Sequence, residues 1–256
     1  MNNWLEKWRG GEDKGLSPER RLMKEALARL DRVRTDSTPP PQMARLAFVL
    51  DLTGSRSASL QKARIATAAM FDTIRAIGSV AVKMIYFRGA RECKASAWES
   101  DPAVVSRTMQ QLSCATGATQ IGRALRQVLI ESETPAAVVF IGDHCEDDPR
   151  ELVALSAELG KRNAPLYVFH ECGDDDARSL AAQPVFTRVA EASGGVYCEF
   201  RPDAGDVLRE LLSSVAAFSS AGKEGVTQIG RAATPQARQL QDRLLLGDGS
   251  NDSKRK

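Results

Sequence analysis

Two runs of this chain are apolar from end to end, and each stops at an aspartate. Leu46-Ala47-Phe48-Val49-Leu50 meets Asp51, and Ala136-Ala137-Val138-Val139-Phe140-Ile141 reaches Asp143 after one glycine. Short runs without a polar face suit strands covered on both sides, as in the parallel sheets of α/β proteins. A carboxylate ending such a strand is costly unless donors or a cation meet it. In open α/β sheets, ligands bind just beyond those carboxyl ends.

The intervening segments alternate in the same sense. A helical pattern over 57–77 closes at Gly78, followed by a strand over 80–87 and a turn at Arg88-Gly89-Ala90-Arg91. The turn leads into a short strand over 93–98, expected to pair antiparallel at the sheet edge, where lysine and arginine are tolerated. Helices follow over 102–112 and 121–130, then the second apolar strand, a helix over 149–162 and a strand over 165–169. A helix over 186–192, a strand over 196–200 and a helix over 204–218 complete the series. Strand–helix alternation of this kind predicts an α/β fold, a single Rossmann-like three-layer domain over residues 44–220. Its central sheet is expected to be mostly parallel, with one short antiparallel edge strand and helices on both faces.

Residues 1–43 read as an appendage. A helix starts at Ser17-Pro18 and carries Leu22, Ala26, Leu27 and Leu30, and Pro39-Pro40-Pro41 makes a stiff linker. Residues 221–256 read as a flexible tail with an amphipathic patch over 236–246. Thr119-Gln120-Ile121-Gly122-Arg123-Ala124 recurs there as Thr227-Gln228-Ile229-Gly230-Arg231-Ala232, an echo too short for a structural repeat.

A net charge of +2 gives no whole-chain field for nucleic acid or an anionic membrane. No apolar run nears the roughly 20 residues of a membrane helix, and the first residues lack the apolar core of a secretory signal. Five scattered cysteines without CxxC spacing argue against disulfides and zinc, so a cytoplasmic location is expected.

Three loops on the strands' carboxyl side supply oxygens: Asp51, Thr53 and Ser55 from the first, Thr119 from the second, Asp143 from the third. Carboxylates and hydroxyls without thiolate or imidazole suit a hard cation, Mg²⁺ or Mn²⁺. At these residues the chain resembles the von Willebrand factor A (VWA) domain family. That family's metal-ion-dependent adhesion site (MIDAS) uses an Asp-x-Ser-x-Ser loop, a Thr in a Gly-Gly-Thr-like loop and an Asp ending the fourth strand. The counterparts are Asp51-Leu52-Thr53-Gly54-Ser55, Gly117-Ala118-Thr119 and Asp143. Two departures stand out: Thr53 replaces the usual Ser, and Gly142-Asp143-His144 replaces an Asp-Gly pair. The resemblance implies a non-catalytic module in which a protein partner supplies an Asp or Glu to the metal. It also implies an AAA+ ATPase of the MoxR or chelatase kind as a candidate partner. Ser55, Thr53 and Thr119 are then expected to touch the ion directly, with Asp51 and Asp143 holding the shell.

The rival reading is a phosphatase of the haloacid dehalogenase type with Asp51 as nucleophile, since Gly142-Asp143-His144-Cys145-Glu146-Asp147 matches a Gly-Asp-x-x-x-Asp motif. Against it, Thr53 stands where the general acid belongs, Thr119 does not end an apolar strand, and no lysine lies between Lys94 and Asp143. A nucleophile pair such as Cys145 with His170 can be drawn, but buried thiols more often fill cores. Glu146, Asp147 and Asp148 read as a helix-initiating acidic turn.

Overall fold

The computed structural model describes residues 43–74, 79–173 and 176–246. The expected helix and linker over residues 1–42, the closing Gly78 and residues 247–256 lie outside the described residues. Among the described residues six strands form one sheet: β1 (Ala44–Asp51), β2 (Val80–Arg88), β3 (Glu92–Ala95), β4 (Ala137–Gly142), β5 (Leu166–Glu171) and β6 (Tyr197–Phe200). Seven α-helices accompany them among the described residues. These are α1 (Leu60–Ile74), α2 (Pro102–Gln111), α3 (Ile121–Leu129), α4 (Pro149–Lys161), α5 (Ala177–Ala192), α6 (Gly205–Gln228) and α7 (Pro235–Leu246).

The sheet runs β3-β2-β1-β4-β5-β6, parallel throughout except for the β2–β3 hairpin at one edge. β1 is central, and alternation along it divides the core in two. Leu46, Phe48 and Leu50 join one buried cluster with residues of α1, α6 and α7, while Ala47 and Val49 join another with residues of α3, α4 and α5. A strand with apolar residues on both alternate sets forces helices onto both faces, giving three layers. The expected fold class is the one observed.

Several boundaries differ for local reasons. A 3-10 turn over Gly54–Ala58 precedes α1, so the helix starts three residues later than the pattern suggests. The edge strand ends at Ala95, after which Ser96 Oγ accepts from the Met84 N–H and a single bridge joins Val82 to Glu99. Helix α5 begins at Ala177, not near Phe186. Its Asp176 cap accepts from the N–H groups of Arg178 and Ser179, a start signal hidden among neighbouring aspartates. Pro184 sits inside α5 on the exposed side, where water can satisfy the carbonyl that a proline leaves unbonded.

The largest difference is at the carboxyl end, where the expected flexible tail after residue 220 is packed. α6 continues past a break at Ala221 and Gly222 to Gln228. In α7, Ala237, Leu240 and Leu244 enter the same core cluster as β1. Their spacing of three and four residues lays them on one helical face. Glu210 of α6 locks the turn between the helices, accepting from the N–H groups of Ala233 and Thr234 and from the Thr234 hydroxyl. The packed unit therefore reaches residue 246.

Candidate metal centre

β1 delivers Asp51 to the carboxyl edge of the sheet, beside the end of β4, because Leu50 pairs with Ile141. One residue past β4 stands Asp143. Both carboxylates are buried, at 2% and 8% relative exposure. Asp51 Oδ1 accepts from the Thr53 N–H at 2.8 Å, whereas Asp51 Oδ2 and Asp143 Oδ1 are buried without any hydrogen-bond partner. Such atoms are rare and costly, and each calls for an explanation in a cation, a proton or a water. Burial pushes the Asp51 carboxyl up to about 6; the bonds from Thr53 and the Arg56 charge pull the other way, while the Asp143 charge adds to the rise. That mutual repulsion places the two acids in one electrostatic site.

The hydroxyls of Thr53 and Ser55 lie 3.3 Å apart in the same loop, the first buried and the second exposed. Thr119 belongs to a neighbouring cluster. Its hydroxyl accepts from the Glu146 N–H and donates to Asp147 Oδ2, both at 2.8 Å. One lone pair of that oxygen is left for another partner. The loop bearing Thr119 is clamped from the other side by the β2–β3 turn: a Cβ on Gly117 would fall 2.1 Å from the Gly89 carbonyl oxygen. Only glycine permits that approach. The contacts thus bring Asp51, Thr53, Ser55 and Asp143 together at the carboxyl edge of the sheet and bind Thr119 to the loop that follows Asp143.

The acidic turn after Asp143 is shared between two helices. Asp148 caps its own helix, accepting from the Arg150 N–H. Asp147 caps α3 across the loop, accepting from Ile121 and Gly122. Glu146 accepts from the Thr119 N–H and pairs with Arg178. His144 Nε2 lies 2.7 Å from Asp176 Oδ2, which turns the ring toward the start of α5. Cys145 and His170 are not joined; Cys172 is the thiol beside His170, 3.2 Å from Nδ1. Burial raises the Cys172 thiol and lowers the His170 imidazole, so both favour their neutral forms. All five thiols are free.

A pair that the sequence reading missed lies at the same edge. Arg56 and Glu171, both buried, form an ion pair between the turn after β1 and the last residue of β5. The available signal was that β5 is a third apolar strand ending in an acid; a strand stopped at Phe169 hides it. Arg56 Nε has no hydrogen-bond partner.

The donor set fits a hard cation. Two orphaned carboxylate oxygens at adjacent strand ends, with two hydroxyls beside them, offer oxygen ligation of low charge. Among the described residues no group of three or more His, Cys, Asp or Glu side chains is arranged to hold a metal. No helix among the described residues is long and apolar enough to cross a membrane.

No protein-family model matches the sequence, and no curated protein matches it. Solved structures do match in three dimensions. A von Willebrand factor type A protein from Catenulispora acidiphila is 16% identical at a TM-score of 0.54, over 68% of this chain and 43% of that one. Proximal thread matrix protein 1 from the mussel byssus, solved with a zinc-occupied MIDAS motif, is 15% identical at 0.53, over 68% and 46%. The SpRpn10 VWA domain is 12% identical at 0.50, over 68% and 94%. The matched region spans less than half the length of the first two structures. At these identities the likeness is one of architecture: this chain has the fold of a von Willebrand factor A domain.

Proposed function

We propose that the chain is a divalent-cation-dependent protein-interaction module rather than an enzyme. The observation that carries this reading is the pair of buried carboxylate oxygens without hydrogen bonds, Asp51 Oδ2 and Asp143 Oδ1, at the ends of adjacent strands. Asp51, Asp143, Thr53 and Ser55 would hold Mg²⁺ or Mn²⁺, with Thr119 completing the shell through its remaining lone pair. A cation held mostly by neutral hydroxyls keeps enough Lewis acidity to accept an anionic ligand. An Asp or Glu side chain of a protein partner is that ligand. The resemblance to intracellular VWA proteins nominates an AAA+ ATPase of the MoxR or chelatase kind, and the five free thiols agree with a reducing cytoplasm. One VWA-fold neighbour carries zinc at its MIDAS motif, which supports a divalent ion without choosing Mg²⁺ or Mn²⁺ for this chain.

Calorimetric titration with Mg²⁺ and Mn²⁺ tests the reading. Binding by the wild type, lost by at least 100-fold in Asp51→Ala, is expected. Partner capture should fall in parallel when chelator is added. Turnover of a generic phosphate ester with Mg²⁺, abolished in Asp51→Asn, would reverse the conclusion in favour of a phosphatase.

A further inference from the structure

Three successive strands of the sheet, β1, β4 and β5, each end in or next to a buried acid: Asp51, Asp143 and Glu171. Among the described residues, Arg56 is the buried guanidinium beside them, and the His144 ring stands at the outer side, its Nδ1 3.7 Å from Asp143 Oδ1. Arg56 stands five residues beyond Asp51, anchored by its N–H on the Thr53 carbonyl oxygen at 3.1 Å. Its guanidinium pairs with Glu171, two strands away. Adjacent strands lie about 4.8 Å apart, so the reach from β1 toward β5 carries the side chain across the end of β4. Asp143 stands there.

The unpaired atoms of this crevice are complementary. One donor, Arg56 Nε, and two acceptors, Asp51 Oδ2 and Asp143 Oδ1, are buried without a hydrogen-bond partner. Arg56 already feels Asp51 electrostatically. Leaving such atoms without partners is costly, more so when they are charged. A guanidinium has five donors in a fixed fork and can serve two carboxylates by a small rotation. The pairing that would satisfy all three atoms is withheld because Glu171 holds the other end of the fork.

We infer that Arg56 is a built-in competitor of the cation for Asp51 and Asp143, and that Glu171 is the latch that draws it aside. The inference rests on the reading of Asp51 and Asp143 as the cation's seat. With the latch closed, the two acids are open to a divalent ion. With the latch released, Arg56 neutralises them from within and excludes the ion, because guanidinium and ion would need the same carboxylate oxygens and repel each other. The pair is thus a positioning device for the site, and a change that loosens the end of β5 would lower cation affinity.

Mn²⁺ titration of the full chain tests this with Glu171→Gln and the double variant Arg56→Gln/Glu171→Gln. Releasing the latch in Glu171→Gln is expected to weaken Mn²⁺ binding at least 10-fold. Removing the competitor as well, in the double variant, should restore binding to the wild-type level or tighter. A merely structural pair predicts the opposite order, with the double variant no better than the single. Removing both members of a buried ion pair is usually tolerated, so the double variant keeps the test readable if the single variant folds poorly. Unchanged affinity in a folded Glu171→Gln, or no recovery in a folded double variant, overturns the inference and leaves the cation seat standing. Absence of Mn²⁺ binding in both the wild type and a folded double variant overturns the seat and the inference together.

Discussion

Asp51 and Glu210 are acids treated in opposite ways. Asp51 ends a central strand with one oxygen bonded to Thr53 N–H and the other buried and alone. Glu210, on α6, receives three hydrogen bonds from Ala233 and Thr234 and closes the turn into α7. Burial raises Asp51 to about 6, with the Asp143 charge adding to it. Burial acts on Glu210 too, but the hydrogen bonds from Thr234 and Ala233 and the Arg209 charge outweigh it, and its carboxyl is lowered. The difference separates two uses of a carboxylate. Glu210 is spent on the fold; one oxygen of Asp51 finds no hydrogen bond within it.

The comparison can be broken at its structural side with the largest effect. Deleting residues 233–256 removes Leu240 and Leu244 from the core along with all three donors to Glu210. Each buried leucine is worth about 1.5–3 kcal/mol, so the truncated chain is expected to lose cooperative unfolding or at least about 5 kcal/mol in urea. A truncated chain of unchanged stability would return the segment to the status of a tail.

Asp51→Asn is expected to act in the other direction. Asparagine keeps an acceptor for Thr53 N–H and removes the buried charge. An elevation of about two pH units corresponds to roughly 3 kcal/mol, and a stability gain of that order or somewhat less is expected at pH 7 in chelator. Loss of stability in calorimetry would mean that the charge is already compensated. Glu210→Ala should instead cost about 2 kcal/mol, the typical value for hydrogen bonds to a charged group.

The pH dependence should carry opposite signs. A group raised in the folded state binds more protons there, so the Asp51 contribution is fully present below the ordinary value of 3.8 and is lost as pH rises through about 6. Metal-free protein should therefore lose stability between pH 4 and 7 by this term, and Asp51→Asn should flatten that limb. Glu210 is lowered, so its contribution is present above the ordinary value of 4.5 and is lost as pH falls through its folded value. Glu210→Gln should flatten only the acid limb. Identical profiles for the two variants would erase the distinction.

The smallest effect concerns the repeated six residues. Gly230 ends α6 with φ +78 and open space around its Cα, whereas Gly122 lies inside α3 with a negative φ. Gly230→Ala should cost about 1 kcal/mol for a left-handed backbone. Gly122→Ala should be close to neutral, since better helix propensity is set against the nearby Asp147 carboxylate.

Much of the molecule was legible in the chain. Leu46 to Leu50 and Val138 to Ile141, apolar on both alternate sets, require a sheet covered on both faces, and the helical spacings between the strands supply the covers. Acids at the ends of two such strands, Asp51 and Asp143, mark the edge where the candidate site lies. Local composition determines these features because periodicity and burial are properties of single segments.

Other features depend on what packs where. Thr119–Ala124 and Thr227–Ala232 are the same six residues, yet the first lies mostly buried at the start of a helix and the second mostly exposed at the end of one. Asp147 caps the first copy, while Gln241 bonds the Gly230 carbonyl and the Ala232 N–H of the second. No property of the hexapeptide chooses between them; partners distant in sequence do. The same holds for α7, whose polar composition reads as a tail until its few leucines meet the core. It holds again for Arg56, which meets Glu171 only because β1, β4 and β5 lie side by side. The sequence alone determined the sheet and its acidic edge; tertiary structure decided which of those acids are paired, because pairing is fixed by neighbours that only folding brings together.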